Sequence, residues 1–220
     1  MDDTKWEQYG ALAGLVFVVL VVLSAFIAGS PPEPDDRARK IAEYFFDNSG
    51  RIKAGSYLGA LAIPPFLFFL GSIWSRIRRV EDARRLATIA VGGGVIAATL
   101  ATAGGAVTTT TALLITEAGL GAKFFFVLGG ALTASSGFGA AAFTAAISVA
   151  AVRNATFPEW LGYAGLAIAV GWLVAGLSLV TLSSGVFFIG FIVFLVWLIW
   201  VLLISYFLYR PQTQAAAPMT

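Results

Sequence analysis

The sequence predicts an all-α, polytopic transmembrane helical bundle of six spans, with a short extracytoplasmic amphipathic helix after the first. Three observations carry this. Of the 220 residues 59% are hydrophobic and only 12% charged, where a soluble chain carries about 25%, and no soluble fold hides so much apolar surface. The apolar residues fall in six runs, each close to or above the ~20 residues that a helix needs to cross a hydrocarbon core. Ten arginines and four lysines stand at the ends of those runs, so the basic charge reports topology and not a nucleic-acid-binding stripe.

Orientation follows from the densest charge cluster, Ser75 to Arg85 (SRIRRVEDARR). Five arginines stand there against Glu81 and Asp82, and the positive-inside rule places such a loop in the cytoplasm. Both termini then also face the cytoplasm. The segment from Arg37 to Lys53 carries five basic residues as well, but they are matched by Glu33, Asp35, Asp36, Glu43 and Asp47.

The first span covers about residues 9–28. It is longer than the ~7–15-residue core of a signal peptide, and Asp2, Asp3 and Glu7 precede it with Lys5 as sole cation, so it reads as retained. Trp6 and Tyr9 are interfacial anchors. Pro31, Pro32 and Pro34 end it, and Asp35 or Asp36 can cap the amphipathic helix, where Ile41, Tyr44 and Phe45 share a face. Asn48-Ser49-Gly50 closes that helix. Two readings stand for it: lying on the membrane surface, or packing on the bundle. The second span, about 52–74, holds Pro64-Pro65 near its middle and should kink there. In the arginine loop, Arg78 with Asp82 and Glu81 with Arg85 have i, i+4 spacing, which predicts a helical extension held by ion pairs.

The third and fourth spans, about 86–115 and 124–152, exceed a straight crossing, which implies tilt or protrusion. Both are rich in glycine among Ala, Ser and Thr, with small-xxx-small pairs such as Gly93/Ala97, Ala101/Gly105 and Gly137/Ala141. Small residues let helix backbones approach closely in lipid, so Gly93, Gly105, Gly130 and Gly137 are the candidate helix-packing residues. The other reading of the same glycines is a broken-helix ligand site. Thr108 to Thr111 can bond back to carbonyls one turn earlier. Glu117 and Lys123 are the only charges in the connecting loop; they read as a solvated pair, or as a polar site if drawn below the interface.

Between the fourth and fifth spans, Thr156 with Glu159 has the spacing of a capping box, with Pro158 in the first turn and Trp160 as an anchor. The fifth span covers about 158–182 and the sixth about 186–209, the latter apolar all round with Trp197 and Trp200 inside. Residues 211–220, PQTQAAAPMT, have the composition of a disordered cytoplasmic tail. Tyr57-Leu58-Gly59 and Trp160-Leu161-Gly162 echo one another at the starts of the second and fifth spans. The match is too short to establish an inverted repeat in a chain so rich in Leu, Ala and Gly.

The stretch DNSGRIKAGSYLGAL, the Arg-rich loop with Glu81, the Gly-rich third helix and Pro158-Glu159-Trp160-Leu161-Gly162 follow one another in an order that resembles a group of uncharacterised six-helix bacterial integral membrane proteins, classed as a domain of unknown function. The resemblance implies a bacterial inner-membrane location and six helices. It brings no functional residues.

Cysteine and histidine are absent, so thiolate catalysis, disulfides, imidazole-ligated haem and His-based acid-base chemistry are unavailable. Every Asp and Glu falls at a loop or an interface, so neither an enzyme nor a cofactor or metal protein is expected. The expected partners are the lipid bilayer and proteins of a membrane complex or a second copy, and no nucleic acid. The reading that fits best is an accessory or scaffold subunit of a membrane complex. The alternative is a small-solute or lipid transporter with a site between the Gly-rich third and fourth helices, although transporters usually carry ionisable residues inside the membrane.

Overall fold

The computed structural model of the chain describes residues 3–181 and 183–210. Among them there is no strand. The α-helices are α1 (Asp3–Ala28), α2 (Ala38–Leu61), α3 (Ile63–Arg78), α4 (Arg84–Leu113), α5 (Ile115–Ala118), α6 (Ala122–Asn154), α7 (Glu159–Ala175) and α8 (Ser184–Tyr209). They make six units long and apolar enough to cross a membrane, α2 with α3 forming the second and α5 with α6 the fourth. The chain is a multi-pass membrane protein. The predicted tail, 211–220, lies outside the described residues, as does Leu182, the predicted end of the fifth span.

Each span packs on its neighbours in the chain and the last returns to the first: α1 meets α2, α3 and α8, α4 meets α2, α3 and α6, and α7 sits between α6 and α8. The result is a closed ring of six. Aromatic side chains fill its centre. Phe17, Phe66, Phe143 and Trp197 come from four different helices and lie with ring centroids between 4.7 and 6.5 Å apart, mostly edge to face as ring quadrupoles prefer. The one polar link in this cluster is the indole N–H of Trp197, which donates to the Thr144 hydroxyl at 3.0 Å.

Two local expectations are corrected. Asn48-Ser49-Gly50 does not end a helix; α2 runs through it into the second span. The Asn48 side chain donates to the Tyr44 carbonyl at 3.0 Å, and Ile41, Phe45 and Ile52 are buried on a shared face, so packing outweighs the local stop signal. The break comes instead at Ala62, and Pro64 and Pro65 fall in the first turn of α3, where their missing N–H groups have no helical partner to lose. In the arginine loop, Val80 is extended and a single 3-10 turn spans Glu81–Ala83, so residues four apart do not meet. Glu81 pairs weakly with Arg84 at 3.8 Å.

The six spans are unequal. The first, fifth and sixth hold 23, 21 and 26 residues, while the second, third and fourth run to 41, 33 and 40. All six have one end on the side of the arginine loop, and at the opposite end the first turns of α2 form an extension past the end of α1, whose Ile27 carbonyl meets Arg51, and level with the start of α8, whose Ser184 meets the α1–α2 loop. There the start of α2, the end of α4, α5 and the start of α6 bury a second, separate core of Ile41, Phe45, Ile52, Ala112, Ile115 and Ala122. The amphipathic face of α2 is therefore turned to protein, which decides between its two readings. Around this extension Phe46, Leu113, Leu120 and Phe124 are 60–68% exposed.

Candidate functional site

The α4–α6 seam is built by glycine. A Cβ added at Gly93 would lie 2.6 Å from the Phe143 amide nitrogen, and one at Gly104 would lie 2.7 Å from the Gly129 carbonyl oxygen, closer than any side chain can approach backbone. Of the four candidates, Gly93 is in this seam. Gly137 is also at a close contact, but with α7, where a Cβ would stand 3.0 Å from the Trp172 ring. Gly105 and Gly130 face open space with no atom within 4 Å, and their neighbours Gly104 and Gly129 make the contact. The reason for this correction is phase: two adjacent glycines stand about 100° apart on a helix, and only one can face the partner.

Glu117 and Lys123 are not brought together as a polar site. Glu117 is exposed on α5. Lys123 Nζ instead donates to the Asp36 carbonyl at 2.7 Å, which ties α6 to the α1–α2 loop. The same loop holds α8: the Ser184 hydroxyl lies 2.9 Å from Glu33 Oε2 and 3.0 Å from Asp35 Oδ1. Asp36 accepts from Lys40 Nζ at 2.8 Å and from the Glu33 amide at 2.9 Å. Its carboxyl is held below the usual carboxylate value, first by Lys40 and then by that amide.

At the arginine end lies a buried ionic cluster that the sequence reading missed. Glu7 and Arg76 are each only 7% exposed. Glu7 meets Arg79 at 2.8 Å and Arg76 at 3.8 Å. The Arg76 guanidinium also donates to the Thr156 carbonyl at 3.1 Å and the Phe207 carbonyl at 3.0 Å, and stands 4.9 Å from the centre of the Phe157 ring. These carbonyls follow or close helices α6 and α8, where backbone acceptors are unmet and the helix dipole is negative. One side chain of α3 thus joins α1, the α6–α7 turn and α8. Glu7, next to the interfacial Trp6, is the carboxylate that the bundle buries.

A signal for both residues was available. Arg76 continues the buried stripe Phe66, Phe69 and Ile73 of α3, and Glu7 continues the stripe Ala11, Gly14 and Val18 of α1. Each sits at a spacing of three or four residues, so each falls on the protein face. The predicted capping box is likewise corrected: α7 begins at Glu159 with Pro158 before it and no side-chain cap, because Glu159 is then the first helical residue and not the third. The Thr156 hydroxyl is buried without a hydrogen bond, and its carbonyl serves Arg76. The loop also carries a shallow depression lined by Glu81, Asp82, Arg84 and Arg85, two charges of each sign.

In chemical terms the cluster is a structural tie. Two guanidiniums and one carboxylate are gathered there with two backbone acceptors. Compared with known proteins, the chain matches no family model, no curated protein and no solved structure.

Proposed function

We propose that this chain is an accessory or scaffold subunit of a membrane complex in a bacterial inner membrane, with both termini in the cytoplasm. The observation that carries the reading is the extension opposite the arginine loop. It has its own core, and Phe46, Leu113, Leu120 and Phe124 on its outside are 60–68% exposed. Exposed apolar groups around a separate protein core suit protein docking. The arginine loop supports the orientation, and the resemblance to uncharacterised six-helix bacterial membrane proteins agrees with the location.

The transport reading has less support, because the seam between α4 and α6 is closed by glycine backbones in contact. The test is extraction from native membranes in a mild detergent after brief crosslinking. A stoichiometric partner lost on Phe124→Ser and Leu120→Ser supports the subunit reading. A lone chain carrying a bound small molecule overturns it in favour of transport.

A further inference from the structure

The two ends of the molecule differ in charge. Around the acidic α1–α2 loop and the extension, six basic residues (Arg37, Arg39, Lys40, Arg51, Lys53 and Lys123) meet six acidic ones. Several are directly answered: Arg39 by Glu43, Lys40 by Asp36, Arg51 by the Ile27 carbonyl. The chain's net charge of +2 therefore resides wholly at the arginine end. There Glu7 is spent inside the bundle, and among the described residues Arg78, Arg85 and Arg153 are exposed and meet no carboxylate.

The same end carries the aromatic belt. Trp6, Trp74, Trp160, Tyr206 and Tyr209 are all exposed there, and such rings settle at headgroup depth. Two arginines are parked on them: the Arg78 guanidinium lies 4.3 Å from the centre of the Trp74 ring, and Arg210 4.5 Å from that of Tyr206. Stacking occupies the face of the guanidinium and leaves the N–H groups of its edge available. That edge matches two oxygens of a phosphate.

From these placements we propose that the arginine end is a binding surface for anionic phospholipid, with Arg78, seated on Trp74, taking the headgroup phosphate and Arg85 and Arg153 adding to the attraction. A zwitterionic headgroup answers its own phosphate with its own ammonium. The unmet charge at this end selects a lipid with net negative charge. The surface is independent of any protein docked on the opposite extension.

The experiment uses the full chain purified in a neutral detergent. Short-chain phosphatidylglycerol is titrated against it, with short-chain phosphatidylcholine and inorganic phosphate as parallel arms, and bound lipid is counted by native mass spectrometry. Phosphatidylglycerol should bind saturably. Arg78→Gln and Arg85→Gln should each weaken binding about fivefold, the effect of one surface arginine near anionic lipid, while Arg39→Gln at the other end leaves it unchanged. Equal binding of phosphatidylcholine, equal competition by inorganic phosphate, an equal loss with Arg39→Gln, or no saturable binding would each overturn the proposal. If Arg78→Gln fails to fold, Arg85→Gln and Arg153→Gln carry the same comparison.

Discussion

Gly93 and Gly139 exclude side chains from one another reciprocally. A Cβ on Gly93 would lie 2.7 Å from the Gly139 carbonyl oxygen, and a Cβ on Gly139 would lie 2.7 Å from the Gly93 carbonyl oxygen. Backbone is touching backbone. The nearest atoms are main-chain atoms of a helix that cannot swing aside, so Gly93→Ala should cost about 1–3 kcal/mol. Gly105→Ala, facing open space, should be neutral or gain up to about 1 kcal/mol from helix propensity. Thermal unfolding of the two variants in one detergent checks the sign, and equal losses would mean that the seam is misplaced.

Arg76 offers a larger effect. Replacing it by Leu leaves the Thr156 and Phe207 carbonyls without their donor and removes one of two cations beside buried Glu7. Breaking a buried pair on one side costs about 3–5 kcal/mol. Arg84→Gln should change stability by less than about 0.5 kcal/mol, since its pairing is an exposed contact. A double-mutant cycle of Glu7→Gln with Arg76→Gln should show coupling, and additivity would argue that the two side chains do not interact.

The α1–α2 loop should respond to acid. The Asp36 carboxyl lies below its ordinary value of 3.8 because Lys40 and the Glu33 amide donate to it. A lowered carboxylate stabilises the fold fully above the ordinary value, and that contribution disappears as pH falls through the lowered one. Exchange of the Glu33 amide, corrected for its intrinsic rate, should stay protected above pH 3.8 and lose protection below it. Asp36→Asn should abolish the pH dependence.

Topology can be read with thiols, since the chain has no cysteine. A single Glu117→Cys variant should react with an impermeant reagent added outside intact cells, and a single Glu81→Cys variant only after the membrane is opened. Labelling of the Glu81 variant from outside would invert the molecule.

The existence of six spans was legible because long apolar runs admit few other structures. Their rotational phase was not. In water a polar face tells which side of a helix is buried, but in lipid both faces are apolar and the period fades. Gly104-Gly105 and Gly129-Gly130 therefore each offered two glycines of equal merit, and Gly105 and Gly130 were the wrong ones. Arg76 was hidden by company: among five arginines it reads as one more loop charge, and only its alignment with Phe66, Phe69 and Ile73 distinguishes it. The amphipathic face of α2 was visible, whereas its partners Ala112, Ile115 and Ala122 are small or ordinary apolar residues with no pattern that announces a contact.

The tie made by Arg76 also has an order in time. Its acceptors lie 80 and 131 residues further along the chain, so during synthesis the guanidinium enters the membrane with neither carbonyl yet made. Glu7 is already present and can hold the charge provisionally. The arrangement closes only when the last turn of α8 leaves the ribosome. A nascent chain cut short before Phe207 would hold Glu7 and the Thr156 carbonyl but leave this arginine without its acceptor on α8.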